Sequence, residues 1–143
     1  MQCSKYLGFS VVGLILSLSS AMVKADVVAV VSSKSAVSTL SKSQITDIFL
    51  GKLVRFPGGS AAEPIDQTEG SIVRDEFYRK IADMSPGELK AFWAKIIFTG
   101  KGQPPRAASN ATEVKQLIAA NPDAIAYMDR SQVDRNIKIV ITP

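Results

Sequence analysis

The clearest chemical pattern in the chain is Asp66-Gln67-Thr68-Glu69-Gly70-Ser71-Ile72-Val73-Arg74. Pro64-Ile65-Asp66 reads as the end of a short strand, and the periodic residues that follow read as a helix starting near Gly70-Ser71. Backbone N–H groups in the first turn of a helix lack an intrahelical acceptor, and the helix dipole there favours negative charge. Ser71 adds a hydroxyl. Arg74, three residues on, shares its face and can close on an oxyanion through two N–H groups. Glu69 can accept the proton of a hydrogen phosphate, which sulfate lacks. The same residues also fit a plainer arrangement, in which Thr68 or Ser71 only caps the helix and Arg74 is a surface charge. A second segment, Phe98-Thr99-Gly100-Lys101-Gly102-Gln103-Pro104-Pro105-Arg106, can offer an anion nest through Gly-Lys-Gly, or serve only as a turn between helices.

Much other chemistry is absent. The chain has no histidine and one cysteine, Cys3. That removes Ser-His-Asp and Cys-His catalysis, thiol redox chemistry and the usual zinc sites from everything downstream of Cys3. Neither GxxxxGKS/T nor GxGxxG occurs. The carboxylate pairs Asp66/Glu69 and Asp75/Glu76 remain for acid–base work. Asp75 and Glu76 have Arg79 and Lys80 four residues on, so they read as a solvated face. No catalytic residue, metal or cofactor is expected, and the chain is not read as an enzyme.

The elements that must position these residues follow from periodicity and capping. Residues 26–32 form a continuous apolar, β-branched run, the pattern of a buried strand. Ser41 with Gln44 makes a capping box, Leu40 with Ile45 a hydrophobic staple, and Ile45, Ile48 and Phe49 one helical face that Gly51 ends. Lys52–Phe56 reads as extended and 57–60 as a turn. Val73, Phe77 and Ile81 mark the buried face of the next helix, with Asp75/Arg79 and Glu76/Lys80 pairs on its wet side. Ser85-Pro86-Gly87-Glu88 opens another helix with cap, N1 proline and capping-box acid, stapled by Met84 and Leu89. Its buried stripe is Leu89, Phe92, Trp93, Ile96 and Ile97. Residues 99–109 read as a loop, and Asn110 caps a fourth helix with Val114, Leu117 and Ile118 on one side. Ala124–Met128 and Ile137–Ile141 read as strands. Strands alternating with helices predict one α/β layered domain with partly parallel pairing.

The first 25 residues read as a cleavable signal peptide. Lys5 is followed by an apolar stretch to Val23 that closes on Val23-Lys24-Ala25. Serines and glycines interrupt that stretch, which favours cleavage over a membrane anchor. The remaining domain, 26–143, has no cysteine and must hold together through its core alone. The whole chain carries +4, but Lys5 and Lys24 leave with the leader and no acid does. The domain's balance is then +2, from 17 − 2 basic against 13 acidic groups. That is too mild, and its basic residues too scattered, to indicate nucleic acid or a membrane surface.

Four segments stand in a recognisable order: Leu40-Ser41 through Ile48-Phe49-Leu50-Gly51, then Asp66–Phe77, then Phe92-Trp93 through Phe98-Thr99-Gly100, then Pro122-Asp123-Ala124-Ile125-Ala126-Tyr127. Together they resemble one lobe of the phosphate-specific periplasmic solute-binding proteins of ABC transporters, over nearly all of the mature chain. The resemblance implies a single lobe of a type-2 periplasmic-binding-protein fold, a mixed sheet with flanking helices. It also implies a periplasmic location and phosphate held in a cleft between two lobes. On this chain the family's loop keeps its acid at Glu69 and its first Gly-Ser at Gly70 and Ser71. Gln67 stands at the family's arginine, and Ile72-Val73 replace a Gly-Thr. Arg74 is then the cation available from the next turn. The reading that follows is an exported, non-enzymatic protein binding phosphate or a similar small oxyanion through Glu69, Gly70, Ser71 and Arg74, for uptake or sensing. A homodimer or a transporter component would supply the missing wall. The alternative is a ligand-free periplasmic interaction module that docks onto a membrane receptor, sensor or transporter.

Overall fold

The computed structural model describes residues 24–141. Of the expected leader, residues 1–25, the first 23, Cys3 among them, lie outside the described residues. Among those described, no helix is long and apolar enough to cross a membrane.

Ten elements follow in order: β1 (Val27–Ser32), α1 (Lys42–Phe49), β2 (Glu63–Gln67), α2 (Ile72–Ala82), α3 (Pro86–Phe98), β3 (Arg106–Ala108), α4 (Ala111–Ala120), β4 (Ala124–Asp129), one 3-10 turn (Arg130–Gln132) and β5 (Ile137–Ile141). The strands form one sheet in the order β3-β2-β4-β1-β5. β2 runs parallel to both β3 and β4, while β1 runs antiparallel to β4 and β5. The pattern predicted an α/β layered domain with partly parallel pairing, and the resemblance implied this mixed sheet with flanking helices.

β1 sits near the middle, and all six of its residues are buried. Both its faces are covered, which is why the run is apolar without alternation. Val27, Ala29 and Val31 face α1, α2 and α3, together with Ile125 and Tyr127 of β4. Val28 and Val30 face the other layer, with Val114 and Ile118 of α4 and Ala124, Ala126 and Met128 of β4. Three helices therefore cover one face and α4 the other. Thr46 of α1 donates to the Ile81 carbonyl at 2.6 Å, which ties α1 to the end of α2.

Local signals set the helix starts. Ser41–Gln44 and Ser85–Glu88 form reciprocal capping boxes, and Ser71 and Asn110 accept from the amides three residues on. Each satisfies a donor that the helix itself cannot. Lys52–Phe56 carries one antiparallel Arg55–Ala61 bridge, with the turn at 57–58 between its two sides. Two expectations are corrected. Within the expected loop 99–109, Arg106–Ala108 pairs with β2 as an edge strand, a pairing that depends on a partner some 40 positions away and leaves no local mark. Ile97 is 47 % exposed. At 100° per residue it lies about 80° round α3 from Leu89, at the margin of the buried stripe.

Candidate functional site

β2 ends in Asp66-Gln67, and the chain then turns sharply into α2. The Ser71 amide donates to the Thr68 carbonyl at 3.2 Å, closing a four-residue turn. Gly70 stands at its third position with φ +91°, where a Cβ would be strained. Ser71 caps α2, its Oγ accepting from the Arg74 amide at 3.3 Å and donating to Gln67 Oε1 at 3.0 Å. The amides of Gly70, Ile72 and Val73 find no acceptor among the described residues. They form the donor-rich end of a helix at the carboxyl edge of a parallel strand, where open α/β sheets take ligands. Beside it opens a cavity of about 440 Å³ bordered by Gln67, Val73, Asn110, Thr112, Asp129 and Ser131.

Behind the turn lies a buried polar cluster centred on Asp66, which is 3 % exposed. Its Oδ1 accepts from the Tyr127 hydroxyl and from the Gln67 amide, the latter at 2.8 Å. Its Oδ2 accepts from Tyr78 Oη at 3.1 Å and from Arg74 Nε at 3.3 Å. Gln67 completes the cluster by donating from Nε2 to the Tyr127 carbonyl at 3.0 Å. All four contacts to Asp66 are donors, as a buried carboxylate requires.

Aromatic packing holds the hydroxyls in place. The Tyr127 ring stacks on Phe77 at 3.9 Å between centroids, and Phe49 meets Phe77 edge-on at 4.9 Å. Burial, with the Asp66 charge and hydrogen bond added, pushes the phenols of Tyr78 and Tyr127 well above their ordinary range. Both are therefore neutral donors. Burial by itself would lower Arg74, but the Asp66 charge, the neighbouring Tyr78 and Tyr127 and the hydrogen bond to Asp66 together outweigh it, and the guanidinium is held firmly protonated. It also lies 5.4 Å over the Tyr78 ring.

The structure brings Gly70, Ser71 and Arg74 together and sends Glu69 elsewhere. Glu69 is exposed and pairs with Lys90 of α3 at 3.4 Å. Arg74 is neither a free clamp nor a surface charge. Its Nε is committed to Asp66, while Nη1 and Nη2 have no partner among the described residues. Asp66 and Glu69 do not act as a pair, since one is buried and the other faces solvent. On α2, Arg79 takes Glu76 at 2.7 Å rather than Asp75, with Lys80 3.8 Å from the same oxygen. The Gly-Lys-Gly segment is no nest. The amides of Gly100 and Lys101 donate to Ile97 and Ile96 and so close the carboxyl end of α3, where the dipole disfavours an anion.

Sequence reasoning missed Tyr78 and Tyr127 as members of the site. The available signal was a phenol inside the apolar strand Ala124–Met128, because a buried Tyr hydroxyl needs an acceptor nearby. Among the described residues, no group of three or more acidic, histidine or cysteine side chains is placed to hold a metal.

No family model and no curated protein matches the sequence. Solved structures do. An ABC-type phosphate transport receptor from Vibrio cholerae superposes with a TM-score of 0.64 at 15 % identity, over 81 % of this chain and 45 % of that one. A phosphate ABC transporter substrate-binding protein from Clostridium perfringens, with bound phosphate, gives 0.63 at 24 % identity, over 81 % and 44 %. The chain spans under half the length of either. Its mixed α/β fold is similar to a partial lobe of these phosphate-transport substrate-binding proteins.

Proposed function

We propose that the chain is exported by its first 25 residues and works in the periplasm as a solute-binding protein for phosphate or a similar small oxyanion. The observation that carries this reading is the Gly70–Ser71 turn, with three uncommitted amides at the head of α2, in a fold shared with a protein solved with phosphate. In this reading the ligand sits on the amides of Gly70 and Ile72. Ser71 shapes the turn, and Arg74, braced by Asp66 through Nε, offers its terminal N–H groups. Glu69 takes the ligand's proton on leaving Lys90. In this reading another copy of the chain or a transporter component supplies a second wall to the site. No catalysis is proposed.

The test is isothermal titration of phosphate, with sulfate as control, into the full chain and into Ser71→Ala and Glu69→Gln variants. Phosphate heat that weakens in both variants supports the reading. The absence of heat at millimolar phosphate removes it. A second reading is favoured by Ile72, which is 73 % exposed at the entrance of α2: the turn docks directly onto a membrane receptor, sensor or transporter component and holds no small ligand. Retention of one membrane protein by the immobilised chain, lost in Ile72→Asp, would support it.

A further inference from the structure

We infer a second site at the opposite end of β2, a groove that binds a small amphipathic organic anion such as an acyl or aryl carboxylate. The groove has a volume of about 620 Å³, within the roughly 300–1,000 Å³ usual for ligand pockets. Glu63 and Pro64, at the start of β2, border it, whereas the oxyanion turn follows the end of that strand. The two sites share none of their bordering residues.

The groove wall is apolar. Phe92, Trp93 and Ile96 come from α3, and Leu53 and Val54 from the segment after α1. Val54 is 69 % exposed at its mouth. The Trp93 indole N–H is buried and has no hydrogen-bond partner among the described residues.

The rim is cationic. Lys52, Lys101 and Arg106 border the groove, all three are exposed, and none enters an ion pair among the described residues. The acid there is Glu63, whose Oε2 already accepts from Asn121 Nδ2 at 2.6 Å. An apolar body with one acid group complements both halves of this surface. A wholly neutral apolar ligand would leave the cations unused. A second copy of the chain seated symmetrically would bring like charges together.

Trp93 is the chain's single tryptophan, so its emission reports on the groove directly. The experiment titrates decanoate, then decanol, into the full chain, and repeats decanoate in millimolar phosphate. Lys52→Glu/Lys101→Glu is the variant, since both side chains are exposed and its fold can be checked by circular dichroism. The expected result is a saturable emission change with decanoate, at least tenfold weaker binding of decanol, and at least tenfold loss in the variant. Phosphate should leave the decanoate affinity unchanged. The inference is overturned by no saturable change, by equal affinity for decanol, by an unaffected variant, or by displacement with phosphate.

Discussion

Arg74 Nε donates to Asp66 Oδ2 at 3.3 Å, and through this contact the first turn of α2 is tied to the end of β2. Their side chains are 13 % and 5 % exposed, so the pair is largely shielded from water. The cation that could lie over an oxyanion is therefore also a structural brace. A variant that removes it tests folding and binding together, which is why Ser71 and Glu69 make better probes of ligand binding.

Removing one partner of this pair leaves the other uncompensated. Asp66→Ala should lower unfolding free energy in urea by about 3 kcal/mol, the lower end of what breaking a buried pair costs. Asp66→Asn/Arg74→Met should recover part of that loss, because neither charge is then stranded. A double variant no better than Asp66→Ala would place the cost in the tyrosine contacts instead.

Those contacts have their own expected cost. Tyr127→Phe removes a donor to Asp66 and an acceptor 3.1 Å from the Gln67 amide. A loss of about 1–3 kcal/mol is expected. Tyr78→Phe removes only the donor to Asp66 and should cost less. The order of the two denaturation midpoints is the check.

Two glycines should respond in opposite directions. Gly70 has φ +91° and an open surrounding, so Gly70→Ala costs about 1–2 kcal/mol through backbone strain alone. Gly87 lies in the first turn of α3 with nothing within 4 Å of an added Cβ, so Gly87→Ala should stabilise by about 0.5 kcal/mol. Thermal melts of the two variants should bracket the parent.

Acid should destabilise the fold through its helix caps. The Ser85 amide, 2.8 Å away, and its hydroxyl hold Glu88 below its ordinary value; the Ser109 hydroxyl and amide do the same for Glu113. The unfolded chain then binds protons that the folded chain resists, so this stability is present above about pH 4.3 and is lost as pH falls through the lower folded values. Melting temperature should drop between pH 5 and 3, and Glu88→Gln/Glu113→Gln should flatten that drop. An unchanged slope would assign acid sensitivity to other carboxylates.

Most of the elements were legible in the residues because their causes are local. A capping box spans four positions, and the Ile45–Ile48–Phe49 face needs only one turn and a half. The two-sided burial of β1 was written in its unbroken apolar run. The turn at Gly70-Ser71 was likewise readable, since a glycine at positive φ before a serine cap is a short-range signal. Arg106–Ala108 was not readable, because an edge strand of three residues exists only where β2 provides a ladder.

For the site itself, the residues alone determined that a strand would deliver Asp66 to a turn and that Ser71 would head a helix with unpaired amides. They could not determine what Arg74 faces. That depended on β4 lying beside β2, which carries Tyr127 to Asp66 across 61 positions, and on α2 packing so that Tyr78 and Arg74 point at the same carboxylate. A buried charge takes whatever donors the fold brings within reach, and that choice is made only when distant strands meet.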